Sequence, residues 1–578
     1  MKKRWLTIGL LTVLTFLRGQ STNAEFRSNW IITWEYISSS YSPAQGKARI
    51  REILDNMKAA NMNAVLFQVR QSGTAYYPSS FEPWGYYAGS GNPGYNPLAY
   101  MVKEAHARGM EVHAWFNAFA AASTVNGAPA SDHPEWVCRD QDGNPMTSYR
   151  ALSPGLEAVR NYTVNVAMEI VNNYDIDGLH LDYVRWNEYS NNQRYTPTPE
   201  EEIRQLDGML SDEEIEELNN NRTGRYLYDV EHPYSGGVPS GFSSWEEWWR
   251  WSVTEFVSTL HDSIQAVKPW VKLSAAVLGK YNWSGWQAYG SVFQDAALWF
   301  NEHYVDQLTP MHYHWTSSNN FYGMLVGDCP NCWSDYIQPG IAAQNIYSVG
   351  PGSYVLSDYG AWNNHPSIVN TCRFIPWVKG FQFFSYGTWE SHDYWDEAGS
   401  TFFKRRTKQP LNINSNSVQP AAPALTMERS DSLNYVFTIQ PADTTVPNWT
   451  ILYRNDTLAA DSSQNTIVDI FLTDTTVQVT ESFSGTQDFN GRYSYYTTTA
   501  NRFWRESPHT GLVSTDSIPS FAPVVLSANP PPGDTVRVNV RPIIVFSKTM
   551  NTDDSYSKIL VNTDIGYSLL WATNHRSV

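Results

Sequence analysis

The stretch Tyr174–Trp186, YDIDGLHLDYVRW, decides how this chain folds. His180 and Asp182 fall on one face of a period of two, and Leu179 and Leu181 fall on the other. This alternation predicts a short buried strand that ends at Asp182. In α/β barrels the side chains at the C-terminal ends of the strands meet in one site. We therefore expect Asp182 to lie at the centre of such a site.

Helix and strand patterns alternate in both directions from this stretch. Polar or aromatic residues follow most of the predicted strands, and segments with helical spacing separate many of them. The pattern predicts an α/β fold, namely a (β/α)8 TIM barrel with an insertion at residues 190–243 after the fourth strand. The other predicted strands are Trp30–Tyr36, Asn63–Arg70, Glu111–Asn117, Val271–Val277, Val305–Tyr313, Ile337–Ala343 and Gly380–Tyr386. The predicted helices are Ala44–Ala60, Pro97–Arg108, Val159–Tyr174 and Trp245–Val267.

The composition indicates a neutral polymer as the binding partner. Aromatic residues make up 14% of the chain, with 24 Trp and 35 Tyr, and their flat faces stack on sugar rings. The formal net charge of −17 argues against binding to nucleic acid or to an anionic membrane surface. A polysaccharide or oligosaccharide is therefore the expected partner, and the oligomeric state stays open.

Residues 1–24 have the organisation of an export signal. Lys2, Lys3 and Arg4 precede the apolar run Trp5–Leu17, which is too short to be a convincing membrane span. An uncleaved anchor is the alternative. No other stretch is long and apolar enough to cross a bilayer, so we expect no transmembrane segment in the mature chain. The expected location is periplasmic, secreted or at the cell surface.

The remaining domain boundaries follow from shifts in composition. The barrel is expected at residues 25–408, followed by a linker rich in Pro, Asn and Ser at 409–426. Residues 427–515 alternate short strands and predict a β-sandwich of fibronectin type III or immunoglobulin type. Residues 522–578 resemble the start of a bacterial immunoglobulin-like domain and are short for a complete one.

The chain has four cysteines, Cys138, Cys329, Cys332 and Cys372. An even count in an exported protein predicts disulfides, and the sequence leaves three pairings open. Cys329 and Cys332 lack a second Cys or His pair that would complete a zinc site. A structural disulfide is therefore favoured over a zinc or redox site.

Several segments carry the motifs of a known family. The chain resembles the glycosyl hydrolase-like 10 family of bacterial exported proteins over roughly residues 27–400. The matching segments are Asn63–Arg70 (NAVLFQVR), Phe81–Trp84 (FEPW), Pro93–Pro97 (PGYNP), Glu111–Asn117 (EVHAWFN) and Asp177–Arg185 (DGLHLDYVR), with looser matches at Pro310–Trp315 and Phe383–Tyr386.

This resemblance implies a (β/α)8 barrel that acts on glycan chains. At least one relative acts on peptidoglycan strands stripped of their peptides, so cell-wall glycan is one candidate substrate. The chain departs from the family at Tyr183, where many relatives carry a second Asp, and at Trp186 and Asn187, near which many carry Tyr-Pro. These departures and the insertion at 190–243 leave the substrate open.

Glycoside hydrolysis usually needs two carboxyl groups that flank the bond. Asp182 is the first by its position at a strand end. Glu35, after strand one, is the favoured partner, and Glu390, after strand eight, is the second choice. Glu188 lies just past the central strand, whereas Asp306 starts a strand and is expected at the wrong end of the barrel.

A substrate-assisted mechanism is a further alternative. Family 18 chitinases carry D-x-x-D-x-D-x-E on the fourth strand, and the corresponding positions here hold Asp177, His180, Asp182 and Val184. Because Val184 stands at the acid position, that mechanism is not supported as written. Asp182 would still be able to orient an N-acetyl group, with the proton supplied by another residue.

Other residues near the predicted strand ends are expected to contact substrate. They comprise planar donors, amides, inward-facing histidines and aromatic rings. No metal-binding constellation stands out, and no cofactor is expected. The candidates are Arg70, Arg185, Gln68, Asn117, His113, His180, Trp34, Trp115, Tyr313, Trp315 and Trp389.

Two functional hypotheses follow. The first is a secreted glycoside hydrolase that works by carboxylate acid/base catalysis. The second is a non-catalytic glycan-binding protein of the cell surface. A second carboxyl group about 5–10 Å from Asp182 would favour the hydrolase.

Overall fold

The computed structural model describes residues 24–147, 149–186, 225–283, 286–327, 332–412, 417–430, 434–455, 465–483, 493–515, 525–529 and 543–546. The predicted export signal up to residue 23, residues 190–224 of the predicted insertion, Glu188 and Cys329 lie outside these ranges. Within the described ranges, no helix is both long and apolar enough to cross a membrane.

Eight parallel strands close into a barrel. Each strand pairs with the next in chain order, and the last returns to the first, with Asn29 opposite Phe383. The predicted (β/α)8 barrel is thereby confirmed. The strands are β1 (Phe26–Ile31), β2 (Ala64–Gln71), β3 (Glu111–Asn117), β4 (Gly178–Asp182), β5 (Lys272–Ala275), β6 (Gln307–Leu308), β7 (Ile346–Pro351) and β8 (Val378–Phe383). Two shorter strands, Thr74–Ala75 and Met311–His312, extend the sheet at β2 and β7.

Helices separate the strands and cover the barrel. Pro43–Ala59 starts at Ser42, whose hydroxyl accepts the N–H of Gln45, as expected of an N-cap. The α-helices of four or more residues are Thr33–Tyr36, Pro43–Ala59, Pro97–His106, Pro129–Asp132, Glu157–Asn173, Trp245–Val267, Ala288–Ser291, Ala296–Asn301, Ser318–Val326, Trp333–Tyr336, Gln338–Ala342, Ser353–Asp358, His365–Cys372, Tyr386–Ser391 and Trp395–Ser400.

The barrel interior has an ionic layer near its N-terminal end. Lys272 on β5 donates to both carboxylate oxygens of Glu111 on β3 at 2.7 Å. His113 Nε2 lies 2.9 Å from Glu111 Oε2, and all three side chains are buried. Buried charges need such partners, because an isolated one would cost several kcal/mol. This layer therefore serves the fold, and it accounts for His113.

Two predicted strands are wrong. Strand one ends at Ile31, and Thr33–Tyr36 forms a helical turn instead of continuing the strand. The predicted strand Ile337–Ala343 is mostly the helix Gln338–Ala342, which has Pro339 in its first turn. Proline is well tolerated there because its missing N–H would have no partner in the helix. The real seventh strand is Ile346–Pro351.

A bulge in β2 changes the side on which Arg70 lies. Gln68 pairs with Trp115, but Arg70 pairs with Phe116, so the register slips by one residue between them. A one-residue slip moves a side chain to the other face of the sheet. Residues two apart in a regular strand share a face, but the bulge places Gln68 and Arg70 on opposite faces, and the expectation that Arg70 contacts substrate is wrong.

The C-terminal region contains two antiparallel sheets. Phe437 of the three-stranded sheet and Tyr495 of the four-stranded sheet pack with ring centroids 4.4 Å apart, in one apolar cluster. This is the sandwich arrangement, while its assignment to the fibronectin or immunoglobulin type stays a prediction. The strands are β9 (Ala424–Arg429), β10 (Asn434–Gln440), β11 (Asn448–Asn455), β12 (Thr466–Thr473), β13 (Val477–Ser482), β14 (Ser494–Ala500) and β15 (Val513–Ser514). Val525–Asn529 and Ile543–Phe546 form a separate antiparallel pair.

Two of the cysteines are not in disulfides. Cys138 and Cys372 are buried free thiols, so the expectation of disulfides is wrong for this pair. Burial raises the pKa of both thiols, and both therefore remain protonated at neutral pH. Cys332 is disulfide-bonded.

Candidate active site

A cavity of 440 Å³ opens at the C-terminal ends of the strands. This volume falls in the range of small-ligand sites. Residues in or after each of the eight strands contribute to it, so its shape depends on closure of the whole barrel. The lining residues are Trp30, Ile32, Trp34, Gln68, Gln71, Trp115, Asn117, Asp182, Tyr183, Arg185, Leu278, Trp286, Met311, Tyr313, His314, Tyr354 and Phe384.

Asp182 carries the only carboxylate among the described residues that line the cavity. Its side chain is 6% exposed. Trp115 Nε1 donates to Oδ2 at 3.2 Å, and the Tyr183 N–H donates to Oδ1 at 2.7 Å. Burial raises the pKa of Asp182, although Arg185 and these two donors oppose the rise. The group therefore keeps its proton to a higher pH than an ordinary aspartic acid.

Two residues after the end of β4 complete this wall. Tyr183 has a φ of 49°, in the left-handed region that non-glycine residues seldom adopt. The Tyr183 N–H, at the start of this turn, donates to the side chain of Asp182. The Arg185 guanidinium lies 4.8 Å from the Tyr183 ring centroid and 5.7 Å from that of Trp286. The two rings hold a planar cation beside the carboxyl group of Asp182.

Aromatic rings form the floor of the cavity. Trp30 on β1 packs edge-to-face against Trp115 on β3, with centroids 4.8 Å apart, and against His180 at 4.6 Å. Phe384 contacts Trp30 from the end of β8 at 5.8 Å. These contacts fix the Trp115 ring, and with it the N–H that reaches Asp182.

Two amide side chains and a tyrosine lie where they were expected. Asn117 is 4% exposed, and its Oδ1 has no hydrogen-bond partner in the described part of the chain, so this acceptor is available to a ligand. Gln68 also lines the cavity, but its Oε1 accepts the Thr33 N–H at 3.1 Å. Burial, and next the nearby charge of Asp182, raise the pKa of Tyr313, which keeps its hydroxyl protonated.

Glu35 lies outside the cavity lining. Because residues 33–36 are helical, Trp34 reaches the cavity while Glu35 turns towards the end of β8. Its carboxylate accepts the N–H groups of Ile32 and Gly387, each at 2.7 Å. Burial raises the pKa of Glu35 to about 7. In this structure Glu35 joins the segments that follow the first and last strands.

Glu390 is held in an ion pair. Its two oxygens accept from Arg49 Nη1 and Nη2 at 2.6 and 2.7 Å, and Tyr386 donates to it at 3.1 Å. It does not line the cavity. The structure therefore brings neither predicted partner carboxylate to the cavity wall that holds Asp182.

Arg70 lies behind the cavity and positions β3. Its Nε donates to Glu82 at 2.9 Å, and its Nη1 donates to the backbone oxygens of Asn117 and Ala118. Both charged side chains are fully buried. Since the bulge turns Arg70 away from the cavity, it acts on the site only through the end of β3.

Four more predicted contact residues are not brought into the cavity. His113 belongs to the ionic layer described above. His180 lies below the cavity floor, where its Nδ1 is 2.8 Å from Ser274 Oγ, and burial lowers its pKa well below the usual value. Trp389 is buried and donates to Ser353 Oγ at 2.9 Å. Trp315 is half-buried beside His314, with centroids 5.5 Å apart.

Several lining residues were not singled out from the sequence as ligand contacts. Trp286 lies far from any strand end in the chain, and Tyr354 follows β7, which was misplaced. Tyr183 was noted only as a departure from the family pattern. His314 follows the predicted strand Val305–Tyr313 and Phe384 lies near the end of the predicted strand Gly380–Tyr386, so proximity to a strand end was the available signal for both.

The barrel sequence matches the model of a known family. The model described as Glycosyl hydrolase-like 10 matches residues 25–343. The chain is 24% identical over 541 residues to the glycosyl hydrolase YngK of Bacillus subtilis, covering 87% of this chain and 96% of YngK. It is 26% identical over 388 residues to the glycosyl hydrolase DigH of Escherichia coli, covering 59% of this chain and 77% of DigH.

Solved structures of glycan-active enzymes are also similar. The glycoside hydrolase domain of PgaB (BpsB) from Bordetella bronchiseptica matches with a TM-score of 0.39 and 12% identity, covering 67% of this chain and 99% of that domain. The maltogenic α-amylase AmyB of Thermotoga neapolitana matches with a TM-score of 0.34 and 12% identity, covering 79% of this chain and 97% of AmyB.

Proposed function

Since this chain belongs to the glycosyl hydrolase-like 10 family, we propose that it is an exported enzyme that hydrolyses glycosidic bonds in a polysaccharide. The observation that carries the proposal is the position of Asp182, buried at a strand end in a cavity lined by aromatic rings. Aromatic rings bind the faces of sugars, and a carboxyl group is the usual source of the proton in glycoside hydrolysis.

Asp182 is suited to the role of proton donor. A general acid must hold its proton at the working pH and release it to the leaving oxygen, which requires a raised pKa. Burial raises the pKa of Asp182 and so meets this requirement. The two N–H donors then stabilise the carboxylate that forms when the proton leaves.

The substrate proposed is a glycan chain, with peptide-free peptidoglycan strands as the first candidate. Arg185 presents a planar guanidinium suited to a carboxylate or to paired hydroxyls of a sugar. Asn117 Oδ1 is available to accept from a sugar hydroxyl. Export, the cell-wall substrate and the second reacting group remain parts of this proposal.

A second candidate function is non-catalytic glycan binding. It is favoured by one observation, namely that Asp182 supplies the only carboxylate among the lining residues described. A cavity with a single carboxylate and many aromatic rings would also hold a sugar chain without cleaving it.

Release of reducing ends from a glycan panel separates these functions. The panel contains peptide-free peptidoglycan strands, chitin oligosaccharides and neutral glucans, and the variant is Asp182→Asn. We expect the wild type to release reducing ends and the variant to be slower by at least ~100-fold. Asp306→Asn is the matched control, because Asp306 is also buried and accepts a backbone N–H, from Leu273 at 2.8 Å, at the other end of the barrel.

The outcomes are distinct. Equal rates for wild type and Asp182→Asn would remove Asp182 from the mechanism. A similar loss in Asp306→Asn would indicate that both changes act through stability, which thermal unfolding of each variant measures. Binding of a glycan without any release of reducing ends would support the non-catalytic function.

A further inference from the structure

An aromatic surface extends beyond the cavity on the side of β1. Trp34 lines the cavity and is 51% exposed, while Tyr86 is 79% exposed. Tyr87 lies between them, with its ring centroid 5.5 Å from that of Trp34 and 5.3 Å from that of Tyr86. We call Trp34, Tyr86 and Tyr87 the outer aromatic surface. It is continuous with the cavity because Trp34 belongs to both.

Backbone contacts hold this surface in place. The Gly85 N–H donates to Ala75 O at 3.0 Å, and the Gly89 N–H donates to Tyr86 O at 2.8 Å. Gly89 has a φ of 74°, and a Cβ on it would lie 3.0 Å from the Cβ of Ser39. The loops after β1 and β2 therefore pack closely. A surface that is already ordered loses little conformational entropy when a ligand binds.

Glu35 and Glu82 are the only charged residues in the loop segments 32–46 and 72–102, which therefore carry no positive charge. Residues 36–46 and 83–102 contain no Asp, Glu, Lys, Arg or His, although the whole chain has a formal net charge of −17. Binding on these segments would therefore depend on the rings and hydroxyls of a ligand and not on attraction between opposite charges. Exposed rings beside serine hydroxyls instead match a sugar, whose C–H face stacks on an aromatic ring and whose hydroxyls form neutral hydrogen bonds.

We propose that the outer aromatic surface binds sugar units of a glycan chain whose cleaved bond lies at Asp182. The substrate is then a chain longer than the cavity holds, and it leaves the cavity over Trp34 to reach Tyr86. The location of the cleaved bond rests on the proposed function. Binding of the chain by the surface does not require cleavage, so the two are tested separately.

Binding by the Asp182→Asn protein tests the surface without turnover. The probes are peptide-free peptidoglycan strands and chitin oligosaccharides, each separated into disaccharides and long chains, with affinity measured by calorimetry. We expect Tyr86→Ala to weaken binding of the long chains about three- to tenfold and to leave the disaccharides unchanged. Tyr86→Phe, which keeps the ring, should retain the affinity.

Phe374→Ala is the matched control. Phe374 is also 79% exposed, and it precedes β8, which places it towards the opposite end of the barrel from the cavity. Phe374→Ala should change neither the affinity for long chains nor the affinity for disaccharides. Three results would contradict binding of sugar units by the outer aromatic surface. They are equal losses of affinity for disaccharides and long chains in Tyr86→Ala, no loss of affinity in Tyr86→Ala, and absence of binding to every probe. Length-dependent binding without hydrolysis by the wild type would keep the surface and reject the hydrolase.

Discussion

At the scale of single residues, the hydrogen bond from the indole N–H of Trp115 affects the pKa of Asp182. Burial raises the pKa of Asp182, and the N–H of Trp115, which donates to it at 3.2 Å, opposes that rise. Trp115→Phe keeps an aromatic ring and removes the donor. Because the carboxylate loses a hydrogen bond, we expect the pKa of Asp182 to rise further. On the proposed function, in which Asp182 is the proton donor, the limb of the pH profile of kcat/KM that reports this group should move to higher pH.

Trp389→Phe is the control for this change. It also removes an indole N–H bond from a buried ring, here to Ser353, but outside the cavity lining. Its pH profile should keep the wild-type limb. A Trp115→Phe profile with an unmoved limb, or one moved to lower pH, would contradict the role given to this hydrogen bond.

The charge of Glu35 should make stability depend on pH. Burial raises its pKa to about 7 in the folded protein, against an ordinary value of 4.5. Between these values the folded state binds more protons than the unfolded state, so this group lowers the free energy of unfolding as the pH rises. We expect Glu35→Gln to flatten that decline between pH 4.5 and 7, measured by urea unfolding at several pH values.

Glu52→Gln supplies the reference for that measurement. Glu52 is exposed on the helix Pro43–Ala59. The substitution Glu52→Gln removes the same formal charge as Glu35→Gln. Its difference from the wild type should vary little over the same pH range. If the two variants give parallel curves, Glu35 is not titrating in this window.

The site could be predicted from the sequence only in part. Position near the C-terminal end of a predicted strand identified Asp182, Trp115, Asn117, Gln68, Arg185 and Tyr313, all of which line the cavity. The alternation of a strand does not give depth, however, so His180 was expected at the rim although it lies below the floor. The partner of Arg70, Glu82, lies in a loop whose path the sequence does not define.

At the scale of elements, the pair of Arg49 and Glu390 joins two helices. It connects Pro43–Ala59 with Tyr386–Ser391, through two hydrogen bonds at 2.6 and 2.7 Å. The substitution Glu390→Gln keeps a side chain of nearly the same shape but removes its negative charge. Because the pair is partly exposed, we expect the free energy of unfolding to fall by about 0.5–1 kcal/mol and the glycan activity to persist.

Glu397→Gln is a suitable control, since Glu397 lies in the first turn of the neighbouring helix Trp395–Ser400. Urea unfolding and reducing-end release are measured for both variants. Loss of activity in Glu390→Gln at unchanged stability would return Glu390 to the chemistry, as the sequence had suggested.

Elements with strong periodicity could be predicted closely. The strand Glu111–Asn117 and the helix Trp245–Val267 have the predicted bounds. The seventh strand was misplaced because Ile337–Ala343 and Ile346–Pro351 both contain Ile, Gly and Pro, so local composition does not separate the helical segment from the strand. Local pattern cannot detect a one-residue bulge such as that in β2, since packing against β3 determines it.

At the scale of the whole molecule, aromatic residues stand on two sides of the barrel mouth. The outer aromatic surface follows β1 and β2, whereas Trp286 and His314 follow β5 and β6. In the closed order of the sheet, β5 is four strands from β1 in either direction, so these groups face each other across the opening. A glycan chain that crosses the mouth would meet rings on both sides of Asp182.

Closure of the barrel has a consequence for the newly made chain. The register that joins β1 to β8 pairs Asn29 with Phe383, and the cavity wall includes Trp30 near one end of the chain and Phe384 far along it. The ribosome must therefore synthesise and release nearly four hundred residues, up to Phe384, before the cavity wall is complete. Until then Trp30 has no Phe384 beside it, and the cavity of a nascent chain lacks part of its wall.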